Sequence, residues 1–214
     1  MIRRRPFVLG LTGSIGMGKS TAAAMLRRMG LPIWDADAAV HRLFRPGGAA
    51  VAAIAAAFPG TVTNGAVDRQ ALGARVFGDH AALKRLERIV HPLVWKADRR
   101  FRKLAAARRA PIIVMDVPLL FEGGGFKRCD AVIVVSAPSL VQAQRVMKRP
   151  GMTRAKLDGI LARQMADHEK RRRADFIIPT GLGRAVTQRR LTGIVRAIRA
   201  GRVTARRDRR QANP

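Results

Sequence analysis

The chain has 214 residues, 48% of them apolar, which is enough to pack one or two domains and excludes a chain disordered from end to end. Its 42 Lys and Arg against 14 Asp and Glu leave a formal charge of +28, and from Lys170 to Pro214 there are 14 basic and 2 acidic residues. Such a surface attracts polyanions in general, but Tyr is absent and aromatic residues make up only 5%, so a base-stacking platform is poorly supplied and no obligatory nucleic-acid partner is expected. The single cysteine, Cys129, excludes a disulfide framework and a cysteine zinc site, and fits a reducing compartment, the cytoplasm. The basic segment Met1–Pro6 has the look of a signal n-region, but the apolar run after it breaks at Thr12-Gly13-Ser14 with no cleavage pattern, so secretion is not expected. No apolar run approaches the roughly 18 residues of a membrane helix, and no membrane partner is expected.

In chain order, Phe7–Thr12 is a short β-prone run stopped by Gly13, and Ser20–Arg28 is alanine-rich with apolar residues at helical spacing. Gly30–Trp34 reads as a second strand ending at Asp35 and Asp37, followed by a helical stretch, Ala38–Arg45, that Pro46-Gly47-Gly48 breaks. Ala49–Phe58 is a further helix stopped by Pro59-Gly60. Asn64-Gly65 marks a turn within Thr61–Val67, and Asp68 is an N-cap for a helix over Arg69–Phe77. Ala81–Ala107 is helical, with Pro92 expected to kink or interrupt it. Ile112–Val117 and Ala131–Val135 have the continuous apolar character of buried parallel strands. Helices are expected over Ser139–Lys148, Arg154–Arg172 and Arg184–Ala200, with a short strand at Asp175–Ile178.

Strands alternating with helices predict an α/β fold with a parallel sheet. The block of helices between the second and third strands, about residues 46–110, is too long for one crossover and reads as an insertion that covers a substrate. The rest of residues 1–201 forms a single core of about 6–45 and 111–200. Beyond it, the charged segment Arg202–Pro214 is expected to be a disordered tail. Nothing in the sequence sets the oligomeric state.

Gly13-Ser14-Ile15-Gly16-Met17-Gly18-Lys19-Ser20 matches G-x-x-x-x-G-K-[ST] and lies between a predicted strand and a predicted helix, where a P-loop has to be. Glycines allow the backbone N–H groups to converge on phosphate oxygens at a helix N-terminus, and Thr21 continues that first turn. The mechanism assigns Lys19 to the outer phosphates and the Ser20 hydroxyl to Mg²⁺. A P-loop implies a bound nucleoside triphosphate and leaves motor, GTPase, ATPase and kinase open. No N-K-x-D base reader or D-x-x-G switch is present, while the helical insertion and the arginine-rich later segment fit a small-molecule kinase with an arginine lid. Asp116, at the end of an apolar strand, has the position of a carboxylate acting on Mg²⁺.

Taken together, Leu11–Ser20, Asp35-Ala36-Asp37, Val67-Asp68-Arg69, His91-Pro92, Val117–Glu122 and Arg145–Thr153 resemble the dephospho-CoA kinase family in order and spacing, over roughly residues 6–185. The resemblance implies a P-loop NTPase-type sheet, a helical CoA-binding region and a mobile lid over about 145–170. It also implies transfer of a phosphoryl group from ATP to the ribose 3′-hydroxyl of dephospho-CoA, the last step of coenzyme A synthesis. It makes Asp37 the base, and either Arg145 or Arg149 the arginine on the transferring group, with Arg145 preferred. Asp35, two residues before Asp37, would share the site if the segment were extended, or else cap a helix. Arg69, His91, Leu119 and Glu122 become candidates for the acceptor pocket. His91-Pro92 reads equally as a helix-breaking corner, and Glu122 as a surface carboxylate before Gly123-Gly124-Gly125.

The chain departs from the family at Ile178-Pro179-Thr180-Gly181, where an Asn-containing turn on the adenine side is expected; backbone groups of Pro179-Thr180 would serve instead. Two competing readings remain. Another nucleoside or nucleotide kinase gives no reason for the His91-Pro92 and Pro118–Glu122 segments, and a polyanion binder with a vestigial P-loop needs no Asp37.

Overall fold

A computed structural model describes residues 5–205. In chain order the elements are β1 (Phe7–Thr12), α1 (Lys19–Arg28), β2 (Ile33–Asp35), α2 (Ala36–Phe44), α3 (Val51–Ala57), β3 (Val62–Thr63), β4 (Ala66–Val67), α4 (Arg69–Val76) and α5 (His80–Ala107). They continue with β5 (Ile112–Asp116), a 3-10 turn (Gly125–Arg128), β6 (Ala131–Ser136), α6 (Ser139–Met147), α7 (Arg154–Ala162), α8 (Asp167–Arg173), β7 (Phe176–Pro179) and α9 (Arg184–Arg199). Five strands form one sheet in the order β2-β5-β1-β6-β7, with β1 parallel to β5 and β6, and β6 parallel to β7. The α/β class expected from alternating strands and helices is the one observed.

Two compact units divide the described residues, 5–34 with 105–205, and 35–104. In the first, alternate residues of the central strands enter one cluster: Leu9 and Leu11 from β1, Ile112 and Val114 from β5, Ile133 and Val135 from β6. Helices α1 and α9 cover it with Leu26 and Leu191, both fully buried. Strands apolar on both faces are what a sheet with helices on both sides requires, which is why β5 and β6 are buried along their whole length. Register sets what leaves the sheet at its carboxyl edge. Leu11 pairs with Asp116, Thr12 with Val134 and Ser136 with Pro179, so the loop after β1, the carboxylate of β5 and the turn after β7 all emerge at one edge, where open α/β sheets bind ligands.

The second unit is built from α2 to most of α5 around Ile54, Phe58, Leu72 and Val90. Its β3–β4 hairpin turns through Asn64 and Gly65, both at positive φ (50° and 73°), the pair that a two-residue hairpin turn needs. Asp68 caps α4 by accepting from the N–H groups of Gln70 and Ala71.

Four expectations require correction. Pro92 does not interrupt α5, which runs unbroken for 28 residues; a proline removes one backbone bond, and the apolar side chains on either side of it, Val90 and Leu93, still pack into the unit's core. The helix expected over Arg154–Arg172 is two helices, parted at residues 163–166. The helical insertion is the unit 35–104 rather than 46–110, because α2 belongs to it. The tail is not loose from Arg202: Val203 packs against the sheet's core and Ala205 is buried, while residues 206–214 lie outside the described residues.

Candidate active site

β1 ends at Thr12, whose hydroxyl donates to the carbonyl of Pro118, and the chain then curls through residues 13–18 into α1. Gly16 and Gly18 take positive φ (76° and 84°), and Gly18 is the residue immediately before α1. Gly13 is required by space: a Cβ there would stand 2.4 Å from Val135 Cγ2 and 2.7 Å from the Val135 carbonyl. The loop therefore lies directly on β6 and, with the start of α1, lines a cavity of about 480 Å³.

That cavity is lined by Gly13 through Thr21, including Ser14, Ile15, Met17, Lys19 and Ser20, and by Pro118, Arg145, Arg149, Ile160, Gln164, Thr180 and the start of α9. The P-loop residues and both candidate arginines thus meet in one place. Lys19 Nζ donates to Asp116 Oδ1 at 2.6 Å, an ion pair between a largely covered ammonium and a carboxylate that is almost wholly buried. Arg145, near the end of α6, donates to Thr180 Oγ1 (3.0 Å), the Thr180 carbonyl (2.7 Å) and the Gly16 carbonyl (3.4 Å). All three are neutral oxygens, so its charge is left to act on the cavity. Arg149 lies past the end of α6 on the cavity wall, exposed.

Thr180 does more than frame the site through its backbone. Its hydroxyl donates to the Met17 carbonyl at 2.8 Å while accepting from Arg145, which locks the P-loop, α6 and the turn after β7 together. Two glutamines also escaped the sequence reading. Gln142 Nε2 donates to the Ile15 carbonyl (2.7 Å), and Gln164 Oε1 accepts from the Ile15 N–H (3.0 Å). Glutamine at helical spacing carries no signal of its own, and only the fold brings these two together.

Glu122 does not stand free as a surface carboxylate. It accepts from the Met165 N–H at 2.9 Å and is ion-paired at 3.0 Å with Lys170, whose side chain is fully buried. Burial pushes its carboxyl up, but the N–H groups of Glu122 and Met165 and the Lys170 ammonium outweigh it, and its pKa is lowered from the ordinary 4.5. Leu119 is exposed, three residues earlier in the same loop.

The remaining candidates belong to the unit 35–104. Asp35 ends β2 and caps α2, accepting from the Ala38 N–H at 2.9 Å, while Asp37 lies in the first turn of that helix. The two carboxylates therefore do not share an extended stretch: the cap turns the backbone between them. Arg69 Nη1 and His41 Nε2 lie 2.6 Å apart. On α5, His91 stacks on Trp95 (ring centroids 6.0 Å apart), and both line a groove of about 440 Å³ with Lys84, Glu87, Arg88 and Pro92.

Among the described residues, no helix is long and apolar enough to cross a membrane. The family model for dephospho-CoA kinase matches residues 7–182. Curated relatives include the dephospho-CoA kinases of Novosphingobium aromaticivorans, 57% identical with 91% of this chain and 96% of that protein covered, and of Rhodospirillum rubrum, 52% identical with 97% and 99% covered. The dephospho-CoA kinase of Paramagnetospirillum magneticum is 66% identical over 164 residues, 77% of either chain. A crystal structure from Thermus thermophilus superposes with a TM-score of 0.79 at 36% identity, over 91% of this chain and 98% of that one. A solved structure of the dephospho-CoA kinase from Campylobacter jejuni shares the fold, with a TM-score of 0.60 at 23% identity over 89% of this chain and 96% of that one. On this sequence and fold evidence, the chain belongs to the dephospho-CoA kinase family.

Proposed function

We propose that the cavity over residues 13–21 takes the phosphates of ATP, and that the γ-phosphoryl group passes from there to the ribose 3′-hydroxyl of dephospho-CoA. The observation that carries this reading is the meeting of Lys19, Asp116 and Arg145 around the P-loop, together with membership of the family.

Phosphoryl transfer requires an aligned hydroxyl, an acceptor for its proton and positive charge on the group in flight. Lys19, paired with Asp116, exchanges that carboxylate for phosphate oxygens. Arg145, already splayed between Thr180 and Gly16, needs little rearrangement to place its guanidinium on the transferring group, and pre-organised charge of this kind is worth most in the transition state. Arg149 meets the nucleotide from the rim. Asp37 takes the proton of the acceptor hydroxyl, with Asp35 fixing the helix turn that carries it. Arg69, His91 and Leu119 contribute to holding the acceptor, and Glu122 serves by fixing the α7–α8 turn.

The metal this reaction implies is Mg²⁺. The residues present fit it: Asp116, a buried carboxylate that a cation already neutralises, and the Ser20 hydroxyl are hard oxygen donors, and Mg²⁺ ordinarily takes one or two of these beside substrate phosphates. When bound, Mg²⁺ neutralises developing charge on the phosphates.

Incubation with ATP, Mg²⁺ and dephospho-CoA tests the whole reading: CoA is expected by mass, and its formation is expected to disappear in Lys19→Ala. Turnover in Lys19→Ala within about tenfold of wild type would count against the cradle, since one such contact is worth several kcal/mol.

A further inference from the structure

Ile15 is held at both of its backbone groups, its carbonyl by Gln142 and its N–H by Gln164. The two grips differ. Gln142 is buried on α6, outside the cavity lining; Gln164 is half-buried, lies on the turn between α7 and α8, and lines the cavity. Ile15 comes three residues before Gly18, the residue that opens α1. Its amide therefore belongs to the stretch of loop away from the helix N-terminus; on the reading that the inner phosphates take that N-terminus, it lies on the side of the outer one.

We propose that Gln164 is a positioning residue that reads the terminal phosphate: its side-chain carbonyl stands on the Ile15 amide in place of a phosphate oxygen and yields that amide when a triphosphate arrives. This rests on the reading that nucleotide phosphates occupy the P-loop. The exchange has a direction, because a hydrogen bond to an anionic phosphate oxygen is roughly twice as strong as one to a neutral amide oxygen. A diphosphate, lacking the outer group, leaves Gln164 in place. Met165, the next residue, is held by Glu122, and Glu122 by the buried Lys170. Release of Gln164 is thus local: it frees the side of the turn that leads back into α7 and Ile160 on the cavity wall, while the side leading into α8 stays fixed.

The test compares the affinities of ATP and ADP, measured by calorimetry without acceptor, in the full chain, in Gln164→Ala and in Gln164→Glu. Removing the competing oxygen in Gln164→Ala is expected to tighten ATP about two- to tenfold relative to ADP, the worth of one neutral hydrogen bond. Gln164→Glu keeps the acceptor but sets a negative charge against the outer phosphate, and ATP is expected to weaken tenfold or more relative to ADP. Amide exchange gives an independent reading: in Gln164→Ala the Ile15 amide exchanges faster without nucleotide, ATP restores its protection, and ADP does not. An ATP-to-ADP ratio unchanged in both variants, or Ile15 exchange indifferent to Gln164, overturns the proposal. If Lys19→Ala instead leaves both affinities at the wild-type value, the reading of the cradle falls, and the role of Gln164 falls with it.

Discussion

Arg145 and Asp37 carry opposite halves of the transfer and are expected to fail differently. Asp37→Asn is isosteric and lies on the first turn of a helix capped by Asp35, so the fold should persist. Without a proton acceptor, kcat should fall by about 10²- to 10⁴-fold while ATP affinity stays within about twofold. Arg145→Lys keeps the charge but loses the planar fork that reaches Thr180 and Gly16 at once, and kcat should fall on the order of a hundredfold. Steady-state kinetics with nucleotide titration separates the two. Wild-type turnover in Arg145→Lys would move the role to Arg149, and in Asp37→Asn would leave Asp35 or no base at all. At this scale, what could be read in the sequence was set by motif density. Gly13 to Ser20 carry their chemistry in their order, so Lys19 could be named, whereas Arg145 and Arg149 were named only through the family resemblance of Arg145 to Thr153. Gln142 and Gln164 act through the backbone groups of Ile15, 127 and 149 residues away, and nothing near them in the chain marks it.

Among the elements, the start of α4 and the Asn64-Gly65 turn were legible because their signals are local: Asp68 caps from within three residues, and Asn64-Gly65 supplies its own positive φ. The break between α7 and α8 was not, since Arg163 to Ala166 contains neither glycine nor proline. It is made by partners elsewhere, Ile15 for Gln164 and Glu122 for Met165. Glu122 also makes this tie pH-sensitive. Its folded pKa lies below its unfolded value, so the unfolded chain binds the extra proton, and the stabilisation is present above about pH 4.5 and lost as pH falls through the lower, folded value. Glu122→Gln should therefore flatten the acid limb of a plot of Tm against pH. It should also lower Tm at pH 7, where it leaves the buried Lys170 without its anion. An acid limb identical to wild type would show that the tie contributes nothing.

The P-loop as an element depends on close approach more than on flexibility, and a pair of glycines separates the two. Gly13→Ala forces a Cβ onto the Val135 side chain and carbonyl, and β6 cannot withdraw without breaking its pairing with β1. Gly30, just past α1, has φ 79° and open space around it, so Gly30→Ala should cost only the left-handed strain of about 1–2 kcal/mol. Thermal denaturation should show the larger loss for Gly13→Ala, with ATP affinity lost in that variant alone.

For the molecule as a whole, sequence and structure differ most over where packing stops. The charge of the last segment reads as a solvated tail from Arg202, yet Val203 lies against the core that α9 covers and Ala205 is buried. The final nine residues contain five charged side chains and no large apolar one, so their removal takes away no large apolar side chain. Truncation after Ala205 should leave Tm and kcat/KM at wild-type values. Truncation after Gly201 removes Val203 and Ala205 as well. It should lower Tm by a few degrees, as the loss of about one buried aliphatic side chain does in a domain of this size, with kcat/KM within tenfold of wild type because neither residue lines the nucleotide cavity. Equal melting temperatures for the two truncations would return the packing boundary to Gly201. A large kinetic loss in a folded protein truncated after Ala205 would place the basic segment in the reaction itself.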